Sequence, residues 1–206
     1  MRIITVSRQF SSGGRELAKR MADILGFDYY DKEIISEIAK NKGLDEKYVE
    51  NALSSSHKAI PLHFARSFAF AFASMGKSEL LVEEKRVISA IAAKGRDFII
   101  VGRNADLLLK DYSPLNIFVC SDTESKIKRC IDKALIGEKP TRKEIEKHMK
   151  QIDRMRAGTR AILSETKWGE CANYHLTINT SGWEIKELTP IISTLAELYF
   201  GDKNEN

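Results

Sequence analysis

Short apolar runs alternate along the chain with longer stretches in which apolar residues recur at helical spacing. The apolar runs predict strands at Ile3–Val6, Phe27–Tyr30, Phe98–Val101, Asn116–Cys120 and Leu176–Ile178. Helical periodicity runs through Leu17–Leu25, Glu79–Lys94, Thr123–Leu135, Glu144–Leu163 and Glu184–Phe200. Because continuous apolar strands alternating with helices are typical of parallel sheets covered on both faces, the pattern predicts a three-layer α/β fold with a five-stranded, mostly parallel sheet.

Residues 32–77 depart from this alternation. They contain helical segments, a turn-like Ser54-Ser55-Ser56 and Pro61, and they predict a helical insertion into a core formed by residues 1–31 and 78–200. The insertion also carries a Phe-rich run at Phe64, Phe68, Phe70 and Phe72. Since Phe residues at helical spacing usually pack, we expect these rings to form the insertion's own core or a homodimer contact rather than a platform for base stacking.

The composition is that of an ordinary globular protein, with 43% hydrophobic and 30% charged residues among 206. No apolar run approaches the roughly 20 residues of a membrane-spanning helix, and Met1-Arg2 leads straight into a strand, so we expect a cytoplasmic protein that does not contact membranes. Cys120, Cys130 and Cys171 are odd in number and lack CxxC spacing, which favours reduced thiols. The four histidines lack the spacing of metal ligands, so no protein metal site is predicted.

The first strand, the loop Ser7–Arg15 and the following helix have the order of parts that builds a phosphate site. Small residues let backbone amides point into one concavity, and the positive end of the helix faces the anion. We therefore expect the nucleotide phosphates to be bound by Ser11, Ser12, Gly13, Gly14, Arg15 and Glu16. The Walker pattern GxxxxGK[ST] lacks its lysine here. Either a tight Gly-Gly turn without a ligand explains the loop, or Arg8 or Arg15 supplies the missing charge.

Polar residues also follow two other predicted strands. Asp31 and the Gly102-Arg103-Asn104 triplet stand just past strand ends, where ligands bind in open α/β sheets. An arginine there suits a phosphate, and Asp31 suits a base, a sugar or the water of a metal ion. Taken singly, Arg103 could equally pair with a structural carboxylate and Asp31 could cap a helix, but their joint placement favours binding.

The segments SRQFSSGGRELAKRMA, DFIIVGRNAD, NIFVCSD and DRMR follow one another in an order that resembles the cytidylate kinase-like proteins, relatives of the nucleoside-monophosphate kinases. The resemblance covers nearly the whole chain and implies the P-loop fold of those kinases. It also implies that residues 32–77 bind a monophosphate and that residues of about 137–167 form a lid.

The resemblance also implies roles for individual residues. Arg103 would hold the acceptor's phosphate, while Asp153 and Arg156, as the DxxR group, would contact the base and the phosphates. The chain departs from the family pattern at Asn104, which replaces an aspartate of the substrate site, and at Met149, which replaces an arginine. A third departure is Gly14, which stands where the family has its phosphate-loop lysine.

The implied activity is transfer of a phosphoryl group from ATP, with Mg²⁺, to a nucleoside monophosphate such as CMP or dCMP, or to a related small phosphorylated acceptor. Arg154, Arg156 and Arg160 would close over the transferring group, and the catalytic set would be Arg15, Arg156 and Arg160. The alternative is a nucleotide-binding sensor or partner module without activity, which the missing cations favour. Nucleic-acid binding by the basic stretch from Arg142 to Lys167 ranks below both, because that stretch lacks interleaved aromatic residues.

Overall fold

The computed structural model describes residues 1–54, 77–133 and 140–201. The chain divides into two compact units, one formed by Met1–Asp31 with Gly95–Asn206 and the other by Lys32–Lys94. Within the described residues, the first unit holds a five-stranded sheet of the order β2-β3-β1-β4-β5 in which every pair is parallel. Its strands are β1 (Ile3–Arg8), β2 (Asp28–Tyr30), β3 (Phe98–Val101), β4 (Leu115–Cys120) and β5 (Leu176–Asn179). The predicted sheet is thus confirmed.

The periodicity predicted the bounds of five helices, and each of these begins and ends within three residues of them. The described residues also contain two helices in the predicted insertion and a short helix after β3 that was not predicted. The helices are α1 (Gly14–Leu25), α2 (Glu33–Lys42), α3 (Glu46–Ser54), α4 (Lys77–Ala92), α5 (Ala105–Leu108), α6 (Thr123–Asp132), α7 (Arg142–Leu163) and α8 (Ile185–Gly201). Helix α7 starts two residues before its first predicted residue, Glu144, because Thr141 caps the helix. The Thr141 side chain accepts from the Glu144 amide while the Glu144 side chain accepts from the Thr141 amide, a capping box.

One face of the sheet is covered by α1 and α8. The apolar stripe of α1, at Leu17 and Met21, packs with Ile192 of α8 over Ile4 and Ile117 of the sheet, and all five side chains are buried. The opposite face carries Phe118, whose ring contacts Trp168 and Tyr174 in the segment after α7. Structure on both sides of the sheet gives a three-layer α/β fold, in which the carboxyl ends of the strands lie at one edge.

The second unit is built from α2, α3 and α4, which pack on one another through buried aliphatic residues such as Ile38, Val49 and Ile88. The buried Glu83 carboxylate of this unit accepts hydrogen bonds from Arg86 at 2.7 Å and from Asn41 at 3.2 Å. The sequence analysis placed the residues of α4 after Lys77 in the core formed by residues 1–31 and 78–200. The contacts of α4 instead assign it to the unit formed by Lys32–Lys94.

Parts of the sequence-based predictions fall outside the described residues. The Phe-rich run at 64–72, Pro61, and the lid residues 137–139 belong to this set. Over the described part of the chain, no helix combines the length and the apolar character needed to cross a membrane.

Candidate functional site

The loop between β1 and α1 is bent back on itself by two residues in the left-handed region, Ser11 with φ 56° and Gly13 with φ 82°. Gly13 is the N-cap of α1, and no described side chain forms a hydrogen bond that caps this helix end. The first-turn amides of an uncapped helix, together with the helix dipole, bind anions readily. The loop therefore presents the first-turn amides of α1 without a side-chain cap, and phosphate binding there stays a prediction.

Side chains from neighbouring strand ends hold this loop in place. The Gln9 side-chain oxygen accepts from the Ser121 amide at 3.3 Å and from Lys126 Nζ at 3.1 Å. The Thr180 hydroxyl donates to the Ser12 carbonyl at 2.7 Å. Because these partners follow β4 and β5, the loop is fixed to the carboxyl edge of the sheet.

Packing explains both glycines at the end of the loop. A Cβ at Gly14 would lie 2.7 Å from the Cβ of Arg8 and 3.1 Å from that of Val119. A Cβ at Gly13 would lie 2.4 Å from Ile185 Cδ1. Since real Cβ atoms do not approach other carbons this closely, residue 14, where the resemblance implies a phosphate-loop lysine, has no room for a side chain unless Arg8 and Val119 shift.

The turn after β3 contains three consecutive residues with positive φ: Gly102 (74°), Arg103 (59°) and Asn104 (47°). A left-handed conformation costs a non-glycine residue about 1–2 kcal/mol, and such strain concentrates at functional sites. A Cβ at Gly102 would lie 1.8 Å from Nη1 of Arg8, so a side chain there would displace the Arg8 guanidinium from its present position. The Arg8 side chain thus reaches from the phosphate loop to the turn that presents Arg103.

Four arginines act on one another at this edge of the sheet. Burial lowers the pKa of Arg8 well below its ordinary value, and the charges of Arg156, Arg103 and Arg15 lower it further, while Asp31 raises it. Burial likewise lowers the pKa of Arg156; Arg15 and Arg103 add to this effect, and Asp153 opposes it. Burial is the largest cause of both shifts, and the neighbouring arginine charges add to it; a bound anion would offset these positive charges.

Asp153 and Arg156, the DxxR group on α7, contact the phosphate loop itself. The Asp153 Oδ1 atom accepts from the Phe10 amide at 2.7 Å and from Arg156 Nη1 at 3.1 Å. The same Nη1 atom donates to the Arg8 carbonyl at 2.9 Å. Burial raises the pKa of the Asp153 carboxyl, although its hydrogen bond from Phe10 and the charge of Arg156 oppose the rise. The pair therefore fastens α7 to the segment that carries Arg8.

Arg15 and Asp31 also come together. Arg15 Nε lies 2.5 Å from Asp31 Oδ2, and the Arg15 side chain is 57% exposed while that of Asp31 is 10% exposed. The ion pair places Arg15 at the rim of the site and turns it toward the end of β2. Asp31 thereby orients a cation at the site, a role that the sequence did not distinguish from binding a base or a sugar.

Arg160 lies apart from this cluster. Its side chain is 2% exposed, and its Nη1 atom donates to Asp106 Oδ2 at 2.6 Å. Its Nε atom donates to Thr166 at 2.9 Å, and its guanidinium carbon lies 5.6 Å from the centre of the Tyr174 ring. This geometry is that of a buried structural ion pair, so we do not carry Arg160 forward as a catalytic residue.

Two other residues predicted to bind the nucleotide lie at the edges of the site. Glu16, on the first turn of α1, pairs with Arg20 at 3.0 Å and with Lys133 at 3.4 Å. Arg154 is exposed and lines a groove of about 490 Å³ between α6 and α7 with Lys126 and Trp168. Neither residue makes a contact with the arginine cluster that would assign it to the phosphates.

Sequence reasoning missed several residues that shape the site. Gln9 and Lys126 belong to no recognisable motif. Lys126 lies in a long run of basic residues, although its side chain is largely buried. Arg129, in the same stretch, donates to the Thr180 carbonyl at 2.8 Å and to the Trp183 carbonyl at 3.2 Å. It thus closes the loop between β5 and α8. Only the β-sheet pairing, which brings these strand ends together, identifies them.

The donors at this edge are guanidinium groups and the first amides of α1, which are the kinds of group that bind phosphate oxygens. Among the described residues, no group of three or more His, Cys, Asp or Glu side chains is placed to hold a metal ion. Mg²⁺ in nucleotide sites is usually held by substrate phosphates with one or two carboxylates. The uncapped end of α1 and the surrounding guanidinium groups provide the donors that phosphate oxygens need.

The parallel sheet with structure on both faces is an α/β fold, and the match to a family model identifies a kinase-like nucleotide-binding protein. The model of the cytidylate kinase-like family matches residues 3–182, and the chain belongs to this family. A comparison with curated protein sequences finds no significant match.

Solved structures share this fold over nearly their whole length. An uncharacterized protein from Eubacterium ventriosum is 23% identical with a TM-score of 0.70, covering 96% of this chain and 99% of its own. A shikimate kinase from Bacteroides thetaiotaomicron is 14% identical with a TM-score of 0.55, covering 95% and 98%. A shikimate kinase from Acinetobacter baumannii in complex with shikimate is 14% identical with a TM-score of 0.51, covering 95% and 92%. At these identities the likeness establishes the fold alone.

Proposed function

We propose that this protein transfers the γ-phosphoryl group of ATP, bound with Mg²⁺, to a nucleoside monophosphate or a related small phosphorylated acceptor. Membership of the cytidylate kinase-like family makes CMP and dCMP the first acceptors to test. The observation that carries the proposal is the convergence of arginines on the loop between β1 and α1: the Arg8 guanidinium lies beside Gly102, and Arg156 donates to the Arg8 carbonyl. Crowded positive charge at the carboxyl edge of a parallel sheet favours binding of two phosphorylated molecules.

The proposed mechanism relies on positioning and charge, since phosphoryl transfer needs no protein nucleophile. The loop amides from Ser11 to Arg15 would bind the triphosphate, and Mg²⁺ would neutralise its oxygens. Arg103 would hold the acceptor's phosphate bidentately. An acceptor phosphate oxygen then attacks the γ-phosphorus, the bond to the β–γ bridging oxygen breaks, and ADP leaves with that electron pair.

Arg156 is the residue that we expect to serve both substrates. It is 23% exposed and is held by Asp153, so its remaining N–H groups can contact phosphate oxygens once both substrates are bound. Residues 32–77 would contribute the monophosphate side of the site, and residues from about 137 to 167 would cover the transferring group and exclude water. Closure of this kind also prevents hydrolysis of ATP.

A nucleotide-binding module without transferase activity is the second candidate. Two observations favour it: Gly14 has no room for the family's lysine, and Arg156 already donates to the Arg8 carbonyl. Such a module would bind ATP and consume no acceptor. It would act by presenting a different surface to a partner when nucleotide is bound.

One assay separates the two candidates. The purified chain is titrated with ATP with and without Mg²⁺, and ADP formation is then followed by a coupled assay in the presence of each nucleoside monophosphate. The transferase proposal expects ADP to form at a rate that saturates with at least one acceptor, in equal amounts with the phosphorylated product. Binding of ATP with no acceptor consumed from the whole series contradicts it and supports the module.

A further inference from the structure

The loop differs from the Walker pattern at two linked positions. With the lysine position on residue 14, the first glycine of GxxxxGK falls on residue 8. This chain therefore has an arginine where the pattern has glycine and a glycine where the pattern has lysine. The loop thus begins with a large cationic residue, Arg8, and has the small Gly14 near its end.

The structure shows why the two changes go together. A Cβ at Gly14 would meet the Arg8 Cβ at 2.7 Å and its Cγ at 3.3 Å, so the stem of Arg8 passes directly over the backbone of residue 14. At its other end, Nη1 of Arg8 occupies the space beside the Cα of Gly102. The guanidinium is thus held between the phosphate loop and the turn that carries Arg103.

Arg15, the other cation that could replace the lysine, already forms an ion pair with Asp31. Arg15 Nε lies 2.5 Å from the Asp31 carboxylate, and most of its side chain is exposed. For Arg8, no ion pair within 4 Å is found to any carboxylate of residues 1–54, 77–133 and 140–201. The half-buried Arg8 guanidinium thus has no carboxylate at ion-pair distance among these residues, and its N–H groups suit the oxygens of an anion.

We propose that Arg8 replaces the phosphate-loop lysine and binds the β- and γ-phosphate oxygens of the nucleotide. The inference rests on the proposed function. When the bond between the γ-phosphorus and the bridging oxygen breaks, negative charge grows on the β-phosphate, and the Arg8 guanidinium stabilises it there. Gly14 and Gly102 are small because they make room for this side chain.

Asp153 is a positioning residue for Arg8, and Arg156 also holds the backbone of Arg8 through one of its N–H groups. Arg156 donates to the Arg8 carbonyl, and Asp153 accepts from the Phe10 amide two residues further on. These bonds fasten the backbone on both sides of Gln9, whose side chain is itself held by Lys126. The direction of the Arg8 side chain is therefore set from α6 and α7.

The test compares Arg8→Met, Arg8→Lys and the matched variant Arg15→Met. For each folded variant, the affinity for Mg·ATP is measured by calorimetry and turnover by ADP formation. Removing a donor that acts on the transition state costs roughly a hundredfold or more in kcat. We expect that loss for Arg8→Met, a smaller loss for Arg8→Lys because it keeps the charge, and less than about a tenfold loss for Arg15→Met.

Two results would overturn the assignment. One is an Arg15→Met variant that loses as much ATP affinity or turnover as Arg8→Met, and the other is an Arg8→Met variant that behaves as the wild type does. Should Arg8→Met not fold, the comparison of Arg8→Lys with Arg15→Lys decides in the same way. If the wild type binds ATP but phosphorylates no acceptor, the proposed function fails, whereas the ranking of ATP affinities still tests Arg8.

Discussion

Arg160 and Asp106 form an ion pair of 2.6 Å between side chains that are both almost fully buried. The second oxygen of Asp106, Oδ1, is buried without a hydrogen-bond partner among the described residues. Arg160→Met leaves the carboxylate without its counter-charge, and breaking a buried pair on one side costs about 3–5 kcal/mol. We expect a large fall in the free energy of unfolding, measured by urea denaturation, and unchanged turnover per folded molecule.

The double variant Arg160→Met/Asp106→Leu provides the control. Replacing both members of a buried pair by apolar residues is often neutral, so most of the lost stability should return. An Arg160→Met protein that is as stable as the wild type but inactive would restore the catalytic role expected from the sequence.

Gly102→Ala tests the contact between the turn after β3 and Arg8. The new Cβ would lie 1.8 Å from Arg8 Nη1, so the guanidinium must move. Gly26→Ala is the matched control, because Gly26 also has positive φ (68°) and a Cβ added there would have nothing within 4 Å. Both variants bear a strain cost of about 1 kcal/mol.

We expect only Gly102→Ala to weaken Mg·ATP binding, measured by calorimetry on both folded proteins. Equal ATP affinities in the two variants would show that the position of Arg8 does not matter for the nucleotide.

Arg156→Ala removes the guanidinium that faces the phosphate loop. An arginine that acts on the transition state of phosphoryl transfer contributes about 10³-fold or more in rate. We expect turnover to be lost while the thermal unfolding temperature shows that the protein still folds. Arg20→Ala, which removes an exposed arginine of α1, serves as the control and should leave turnover unchanged. Normal turnover in Arg156→Ala would remove this residue from the mechanism.

The unit formed by residues 32–94 should lose stability in acid through Glu83. Hydrogen bonds from Arg86 and Asn41 lower the pKa of Glu83 to about 2, despite its burial. A carboxyl whose pKa is lowered by folding adds stability above its unfolded pKa of about 4.3, and this contribution disappears as the pH falls toward the folded pKa. Glu83→Gln should therefore cost about 1–3 kcal/mol near pH 7.

The difference between wild type and Glu83→Gln should shrink when unfolding is measured at pH 3. Glu79→Gln, at an exposed position of α4, should have little effect at either pH. A cost of Glu83→Gln that is the same at both pH values would show that the carboxylate charge contributes nothing.

The sheet could be predicted from sequence because its strands are buried on both faces and therefore read as continuous apolar runs, as in Phe98–Val101. The loop could be predicted because strand, small residues and helix follow one another directly. The roles of the arginines of α7 could not. Arg156 and Arg160 lie four residues apart on one face of the helix while Arg154 lies on another, and only the packing reveals that Arg160 is buried beside Asp106.

The position of the Arg8 side chain could not be predicted from the sequence either. Residues 8 and 102 are far apart in the chain, and the parallel register that pairs Val6 with Val101 brings them together. That register follows from strand pairing, but the path of the Arg8 side chain depends on the space left by two glycines. The sequence raised Arg8 and Arg15 as alternatives, and the ion pair of Arg15 with Asp31 is the reason that we propose Arg8.

The central claim is that this edge of the sheet binds a nucleotide through its phosphates. Its most direct test is calorimetric titration of the wild-type chain with the non-hydrolysable ATP analogue AMP-PNP and with adenosine, at low and at high salt. We expect the analogue to bind with Mg²⁺ and to weaken as salt screens the arginines, and adenosine to bind far more weakly. Equal affinity for adenosine and the analogue, or no binding of the analogue at low salt, would contradict the account.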